Sequence, residues 1–338
     1  MIVLLINIYF LMIMTFQQKI QHNLVQIEGS HVPKFKEEFK KRYSKLTDWN
    51  LFEKYNLSYL NRALRVNTLR ISPEDLKKRL EAQGWVLEQI PWNVNGFWAK
   101  HKEGRLDLGN TLEHQLGYFY IQGAASMLPP IVLSPEKGDL VWDMCASPGS
   151  KTTQIAEMME NEGIIIANDV TGMRLAPLGV NIQRLGVKCC VQLQADSSRI
   201  NFPFKFDKIL LDAPCSGVGT IRKSLKTINM WNPKTLKKIT SVQKRLLENA
   251  WIHLKEQGIL VYSTCSTEPE EDEEIVSDFI SSHPDSEVVE IRIEGFKHSS
   301  AITSFNGKNY SEEVKKTLRV WPQDNDTQGF YVAKIRKK

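Results

Sequence analysis

A regular alternation of apolar and helical segments, beginning near residue 138, constrains the fold more than any other feature. Short apolar segments predict strands at 140–144, 163–169, 189–193, 208–211 and 258–262. Helical patterns lie between most of them, notably at 174–185 and 233–254. Strands that are apolar throughout are typical of a parallel sheet covered on both faces. We therefore predict an α/β fold, closed by a strand at 329–335.

A smaller unit precedes this sheet. Residues 64–70 alternate as a strand does, and Ser72 and Pro73 form the start signal of a helix that ends at Gly84. A further strand is predicted at 85–88. The pattern indicates a small α+β module over about residues 60–105.

Upstream of that module, residues 17–59 have a helical pattern. Phe35, Phe39 and Tyr43 recur every four residues with basic residues between them. This spacing predicts a helix that packs its aromatic face on a core, with solvated lysines available for RNA as a secondary role.

The first sixteen residues are nearly all apolar. The stretch is shorter than the ~20 residues of a membrane-spanning helix, and it lacks the basic region and cleavage site of a signal peptide. We interpret residues 1–16 as a mis-called start, with Met12 or Met14 as the first residue, or alternatively as a short buried strand. The predicted divisions are thus 1–16, an N-terminal module at 17–128 and a catalytic domain at 129–338.

Charge and cysteine content narrow the functional classes. A net charge of +5 is compatible with a nucleic-acid partner without establishing one. Five cysteines, an odd number without CxxC spacing, predict neither a zinc site nor a secreted disulfide framework. We expect a cytoplasmic protein with no metal and no membrane partner.

The loop at 145–151 joins the first strand of the sheet to a helix. Its small residues, with Gly149, allow the backbone to approach a ligand at a helix N-terminus. A phosphate-binding loop would need glycines where Ser150 and Cys145 stand, which disfavours a nucleoside triphosphate. A role as a helix N-cap would explain any one of Asp169, Asp196 and Asp212. Three acids at successive strand ends, however, favour an adenosine cofactor without phosphates. S-adenosylmethionine is the obvious cofactor of this kind.

Two cysteines follow the last two strands of the predicted parallel sheet. Cys215 and Cys265 would meet at the edge where α/β sheets bind ligands. Residues 267–270 resemble a capping box, so helix-start amides would lower the pKa of Cys265 while the nearby glutamates would raise it, and the net sign stays open. Cys145, Cys189 and Cys190 are expected to pack in the core.

Three of these stretches carry a family resemblance. Residues 143–152, Asp-Ala-Pro-Cys-Ser-Gly at 212–217 and Ser-Thr-Cys-Ser at 263–266 resemble motifs I, IV and VI of the Nop/Sun family of RNA cytosine-C5 methyltransferases. Residues 65–69 and 321–330 are also similar, although Gln323 and Asn325 stand where histidines often occur. The compact length is most similar to archaeal tRNA-modifying members.

The resemblance implies a Rossmann-like sheet, S-adenosylmethionine and an RNA substrate, with tRNA as the expected partner of a monomer. It implies cofactor contacts from Cys145, Ala146, Ser147, Pro148, Gly149, Ser150, Lys151, Asp169, Arg174, Asp196 and Asp212. It also implies that Cys265 attacks the base and that Cys215 aids product release. Asp212 would contact the base edge, and Lys151 would assist there or orient the loop.

Three alternatives remain open at this point. Cys215 would be the nucleophile if the cysteine that follows Pro214 attacked the base, as in DNA cytosine methyltransferases. The substrate would be rRNA rather than tRNA, or the protein would be a non-catalytic RNA-binding assembly factor that retains the fold.

Overall fold

The computed structural model describes residues 24–29 and 32–338. The interpretation of residues 1–16 as a mis-called start therefore lies outside the described residues, as does the part of the helical prediction at 17–23. None of the helices within the described ranges is long and apolar enough to cross a membrane.

The N-terminal part combines short helices with an antiparallel sheet. Its elements are α1 (Glu37–Tyr43), α2 (Trp49–Asn56), β1 (Ala63–Val66), α3 (Pro73–Ala82), β2 (Trp85–Gln89), β3 (Gly96–His101), α4 (Leu112–Gln115) and β4 (Phe119–Ile121). The strand order is β2-β3-β1-β4. The predicted strand–helix–strand pattern is present, including the Ser72 cap, whose hydroxyl accepts from the Asp75 N–H at 3.1 Å. The sheet extends past the predicted bounds of 60–105, because β4 pairs with β1.

The C-terminal part is the predicted α/β sheet. Its elements are α5 (Leu128–Leu133), β5 (Leu140–Asp143), α6 (Ser150–Met158), β6 (Ile164–Asp169), α7 (Gly172–Leu185), β7 (Cys190–Gln194), β8 (Phe206–Asp212), α8 (Lys226–Met230), α9 (Pro233–Ile252), β9 (Leu254–Thr264), α10 (Glu273–Ser282), β10 (Ser286–Val289), β11 (Ser304–Phe305), β12 (Lys308–Asn309), β13 (Leu318–Val320), α11 (Pro322–Asn325) and β14 (Phe330–Lys337). The main sheet runs β10-β14-β9-β8-β5-β6-β7, with β13 also pairing to β14.

The direction of the strands locates the ligand-binding edge. Strands β5 to β9 are parallel, and β14 closes the sheet antiparallel to β9. The order reverses between the neighbours β5 and β8, which makes their carboxyl ends the topological switch point. Asp212 at the end of β8 pairs in register with Ser263 of β9.

Both faces of the sheet are covered by apolar side chains. On one face Trp142 packs with Leu247 of α9 and Phe279 of α10. The cluster on the other face joins Val141 and Val261 to residues upstream of residue 129, among them Met127. The N-terminal and C-terminal parts therefore share one hydrophobic core.

Two of the N-terminal secondary-structure predictions were wrong in extent. The stretch 24–29 is not helical, because Gln26 forms an isolated β-bridge with Ser58. The strand predicted at 64–70 ends at Val66, because the side chain of Asn67 turns away to donate to the carbonyls of Gly117 and Leu185 at 2.7 and 2.8 Å.

The aromatic face of α1 is buried as predicted. Phe39 is 1% exposed and stacks on Tyr43 with ring centroids 4.2 Å apart. Its partners, however, come from the C-terminal part, where the ring of Trp231 lies edge-on at 5.0 Å from Phe39. Helix α1 is thereby fixed beside the loops that follow β8 and β9.

Candidate active site

The loop after β5 enters α6 through a sharp turn. Gly149 has φ of +100°, and a Cβ there would lie 2.8 Å from the side chain of Leu178. Only glycine fits this position without strain. The turn leaves the N–H groups at the start of α6 facing the switch point, as a close backbone approach to a ligand requires.

A buried ion pair fastens this turn to the N-terminal sheet. Arg65 of β1 is 1% exposed and bonds both carboxylate oxygens of Glu157 at 2.8 and 2.9 Å. Its guanidinium also donates to the carbonyl of Ser150 at 2.8 Å and to the hydroxyl of Thr153 at 2.9 Å. Arg65 therefore holds the first turn of α6 from outside the catalytic sheet.

The acids at the ends of β6 and β7 differ in their surroundings. Asp169 is 4% exposed, and its carboxylate accepts from the Ser147 N–H at 3.2 Å and from Arg174 Nε at 2.8 Å. The side chain of Arg174 is 55% exposed, so a hydroxyl-bearing ligand can replace it on Asp169. Asp196 is largely solvated and bonds Ser198 in its own loop.

Lys151 and Asp212 form an ion pair across the switch point. The Lys151 ammonium donates to Asp212 Oδ2 at 2.6 Å, while the Ser263 hydroxyl donates to Oδ1 at 2.8 Å. Burial works against the charge of Lys151, but the Asp212 carboxylate outweighs it and raises the pKa of the lysine. The lysine is therefore held in its charged form, and its contact with Asp212 links the loop after β5 to the ends of β8 and β9.

The two predicted cysteines lie in contact beside this pair. Cys215 Sγ is 3.3 Å from Cys265 Sγ, and both residues are partly buried free cysteines. The hydrogen bond from Cys215 is the main cause that lowers the pKa of Cys265, aided by the positive charges of Lys151 and Lys223. The same bond, together with burial, raises the pKa of Cys215. The sulfur–sulfur contact itself is symmetric, and the positive charges of Lys151 and Lys223 beside Cys265 favour Cys265 as the member of the pair that loses its proton.

Glu271 links the two cysteine loops. Its carboxylate accepts from the Ser216 N–H at 2.8 Å and from the hydroxyls of Ser216 and Ser266. These serines directly follow the two cysteines in sequence, and their hydroxyl oxygens are 3.1 Å apart. One buried carboxylate therefore sets the spacing between the loops.

The helix predicted to start immediately after Cys265 begins later, at Glu273. The capping-box prediction at 267–270 was wrong because its acids bind tertiary partners instead. Glu268 accepts from Trp231 Nε1 at 2.7 Å and from Arg42 Nε at 2.7 Å, and Glu270 also pairs with Arg42. These contacts join the loop that carries Cys265 to α1.

The remaining cysteines are not part of this pair. Cys145 packs against the core on one face of the sheet, and Cys189 and Cys190 pack against the core on the other. Burial raises the pKa of each, that of Cys190 to about 12. In the described part of the chain no group of three or more His, Cys, Asp or Glu side chains is placed to hold a metal ion.

Three residues at the site were not singled out from the sequence. Glu271 carried only a local charge signal, and Gln328 only its place in the stretch 321–330 that resembles the family. Lys223 lies in a stretch, 213–247, that has no Asp or Glu, and this basic run is the one signal that marks it.

Comparison with known families identifies the family and the fold. The family model described as 16S rRNA methyltransferase RsmB/F matches residues 130–336. The model of the N-terminal domain of 16S rRNA methyltransferase RsmF matches residues 33–124. This chain belongs to the RsmB/F methyltransferase family. The resemblance inferred from the motifs and the predicted fold class are thereby confirmed.

Named relatives within the RsmB/F family differ in substrate and in length. The tRNA (cytosine(49)-C(5))-methyltransferase of Pyrococcus abyssi is 42% identical over 312 residues, covering 90% of this chain and 99% of the relative. Ribosomal RNA small subunit methyltransferase F of Vibrio parahaemolyticus is 40% identical over 282 residues, covering 82% of this chain. The chain spans only 57% of that second relative.

Solved structures agree with the RsmB/F assignment. A methyltransferase homolog protein from Pyrococcus horikoshii has a TM-score of 0.76 at 38% identity, over 86% of this chain and 90% of that one. NSun6 from Pyrococcus horikoshii, solved with SFG, has a TM-score of 0.79 at 27% identity, over 90% of this chain and 98% of that one.

Proposed function

We propose that this protein methylates carbon 5 of cytosine in RNA by way of a covalent bond between Cys265 and the base. The observation that carries the proposal is the 3.3 Å contact between Cys215 and Cys265 beside the Lys151–Asp212 ion pair. Two reactive thiols and a fixed charge pair at a switch point suit an addition–elimination reaction on an aromatic ring.

We infer that S-adenosylmethionine is the cofactor. The loop at 145–151 offers amides and no side-chain bulk at Gly149, and Asp169 offers a carboxylate at a strand end, which suits a ribose diol. Asp196 stands near the expected adenine position and Asp212 near the methionine end. When bound, S-adenosylmethionine supplies an electrophilic methyl group to carbon 5.

Cys265 makes carbon 5 reactive in this mechanism. Its thiolate adds to carbon 6 of the cytosine, and the electrons of the 5,6 double bond shift toward nitrogen 3. Asp212 accepts a hydrogen bond from the 4-amino group. The Lys151 ammonium donates a proton to nitrogen 3, and Asp212 accepts a hydrogen bond from the N–H that forms. Both groups are already positioned, so little rearrangement opposes the step.

Cys215 acts in product release. While Cys265 is a thiolate, its hydrogen bond keeps the pKa of Cys215 high. Bonding of Cys265 to carbon 6 removes that charge, so Cys215 loses its proton to water more readily. Lys151 takes back the proton on nitrogen 3 after methyl transfer. The Cys215 thiolate then takes the proton from carbon 5, the double bond re-forms and Cys265 leaves as a thiolate.

We propose tRNA as the substrate class. The Pyrococcus abyssi tRNA enzyme matches over nearly its whole length, whereas the rRNA enzymes are much longer than this chain. Residues 17–128 would hold the RNA by shape and phosphate charge, and the target cytosine must leave its stack to reach the thiols. We expect a monomer in the cytoplasm, where its free thiols stay reduced.

Transfer of a labelled methyl group tests the proposal. The protein is incubated with methyl-labelled S-adenosylmethionine and transcripts of tRNA or of small-subunit rRNA, followed by bisulfite sequencing. We expect 5-methylcytosine in tRNA with wild type and with the control Cys189→Ala, and none with Cys265→Ala. Labelling of rRNA alone would transfer the assignment to rRNA.

Calorimetry with S-adenosylmethionine separates an enzyme from a non-catalytic RNA-binding protein. We expect binding by wild type and a roughly tenfold weaker Kd for Gly149→Ala, because an alanine in the left-handed conformation is strained by about 1–2 kcal/mol. Absence of binding by wild type would favour the assembly-factor alternative.

A further inference from the structure

Two polar side chains that the mechanism does not use converge on Gly123. A Cβ at Gly123 would lie 3.0 Å from Gln328 Oε1 and 3.1 Å from Lys223 Nζ. Gly329, the residue after Gln328, donates its N–H to the carbonyl of Gly219 at 2.8 Å. The N–H of Gly219 in turn donates to the carbonyl of Cys265 at 3.0 Å. The pair is therefore tied to the loop that carries Cys265.

A buried arginine fixes both chain segments that carry the pair. Arg222, adjacent to Lys223, pairs with Asp326 at 2.7 Å, with both side chains buried. Its guanidinium also donates at 3.0 Å to the carbonyl of Thr327, the residue before Gln328. The positions of Lys223 and Gln328 are thus set by the contacts of their neighbours in sequence, so their own polar ends are available to a ligand.

Neither polar end has a hydrogen-bond partner within the described residues. Gln328 is 3% exposed, and its Oε1 atom is buried without a donor. Lys223 is exposed along much of its side chain, yet its amine approaches Gly123 and makes no hydrogen bond or ion pair with any described group. A buried acceptor without a donor is unfavourable, and a ligand hydroxyl would supply the missing donor.

The surroundings indicate which part of a nucleotide fits here. The amine of Lys223 is close enough to Cys265 for its positive charge to help lower the pKa of that thiol. An amine that forms no ion pair with a described carboxylate suits a phosphate oxygen. Because the proposed mechanism assigns the base edge to Asp212 and Lys151, the remaining donor that a ribonucleotide offers to Gln328 is its 2′-hydroxyl.

We propose that Lys223 and Gln328 form a subsite for the sugar-phosphate of the target nucleotide, in which Lys223 binds a phosphate and Gln328 Oε1 accepts from the 2′-hydroxyl. The proposal rests on RNA cytosine methylation as the activity. It makes Gln328 a determinant of the choice of RNA over DNA at the target position, since the 2′-hydroxyl is what distinguishes the two.

A single deoxynucleotide tests the role of Gln328. The target position is mapped by bisulfite sequencing, and two synthetic hairpins are made that carry cytidine or 2′-deoxycytidine there. We expect wild type and the control Gln323→Leu to prefer the ribonucleotide about tenfold in kcat/KM, and Gln328→Leu to lose most of that preference, as expected for one hydrogen bond of about 1.4 kcal/mol.

Salt dependence tests the role of Lys223. We expect the slope of log Kd against log salt to fall by about one unit in Lys223→Met, as the loss of one phosphate contact predicts. The control Lys255→Met, which lies at the opposite end of β9 and pairs with Asp207, keeps the wild-type slope.

The outcomes separate this inference from the proposed function. Methylation of the ribonucleotide hairpin by wild type, with equal rates on the deoxynucleotide hairpin or an unchanged preference in Gln328→Leu, would overturn the 2′-hydroxyl contact alone. An unchanged salt slope in Lys223→Met would overturn the phosphate contact alone. Methylation of neither hairpin by wild type would overturn the proposed function and, with it, the subsite.

Discussion

Cys215 and Cys265 lie with their sulfur atoms 3.3 Å apart although fifty residues separate them in sequence. Parallel pairing of β8 with β9 brings the two strand ends together, and Glu271 then bonds the serine after each cysteine. The contact is thus a product of sheet topology and of one buried carboxylate. It makes the two thiols a single titrating unit in which one holds the proton that the other lacks.

The first prediction separates the roles of the two thiols. With Cys265→Ala we expect no methylation and no protein–RNA adduct, because the group that adds to carbon 6 is gone. With Cys215→Ala we expect a covalent protein–RNA complex to accumulate, because addition proceeds while release is slowed. Denaturing gel electrophoresis with labelled RNA measures both. The reverse pattern would make Cys215 the nucleophile.

The sheet that positions these thiols was largely predictable from the sequence. Continuous apolar segments marked β5 to β9 to within a few residues. For the inner strands β5, β6, β8 and β9 the reason is that a strand covered on both faces is apolar over most of its length, whereas β7 at the sheet edge is largely exposed. The short strands β10 and β13 were missed. Each pairs with only part of β14, so pairing rather than composition defines them.

The site was predictable in its residues but not in its supports. Small loops and strand-end acids are local signals, and they marked Lys151, Asp212 and both cysteines. Glu268 was assigned to a helix start because local sequence favours one there, and Glu271 was considered only as an acid that would raise the pKa of Cys265. Their donors come from residues far away, such as Arg42 and Ser216. Local patterns carry no information about such partners.

The second prediction concerns Glu271. In Glu271→Gln an amide NH₂ replaces one acceptor oxygen and faces donors from Ser216, Ser266 or Gln243. We expect a loss of about 1–3 kcal/mol in unfolding free energy and a lower kcat, because the spacing of the thiols loosens. Urea unfolding and methylation kinetics measure the two effects. The control Glu248→Gln, whose side chain is 53% exposed, should change neither, and a Glu271→Gln variant with wild-type kcat would contradict the proposed link.

The third prediction concerns the support from the N-terminal sheet. Arg65→Met leaves the Glu157 carboxylate buried without its partner, and we expect a loss of about 3–5 kcal/mol in unfolding free energy. Because Arg65 also bonds the carbonyl of Ser150, the affinity for S-adenosylmethionine should fall as well. Urea unfolding and calorimetry are the measurements. Lys77→Met, which removes an exposed pair with Glu81, should stay within about 0.5 kcal/mol of wild type.

The last prediction concerns the ionisation of Cys265. The hydrogen bond from Cys215 stabilises the Cys265 thiolate, so the pKa of Cys265 lies below its ordinary value. In Cys215→Ala this bond is absent, and the pKa should rise, so that a given fraction of thiolate is reached only at higher pH. In Cys215→Ser a hydroxyl donor remains, and the shift should be smaller. The alkylation rate of Cys265 by iodoacetamide, followed by peptide mass spectrometry across a pH series, measures the thiolate fraction. A Cys215→Ala profile that coincides with wild type would show that Cys215 does not stabilise the thiolate, and the assignment of Cys265 as the activated nucleophile would then rest on Lys151 and Lys223 alone.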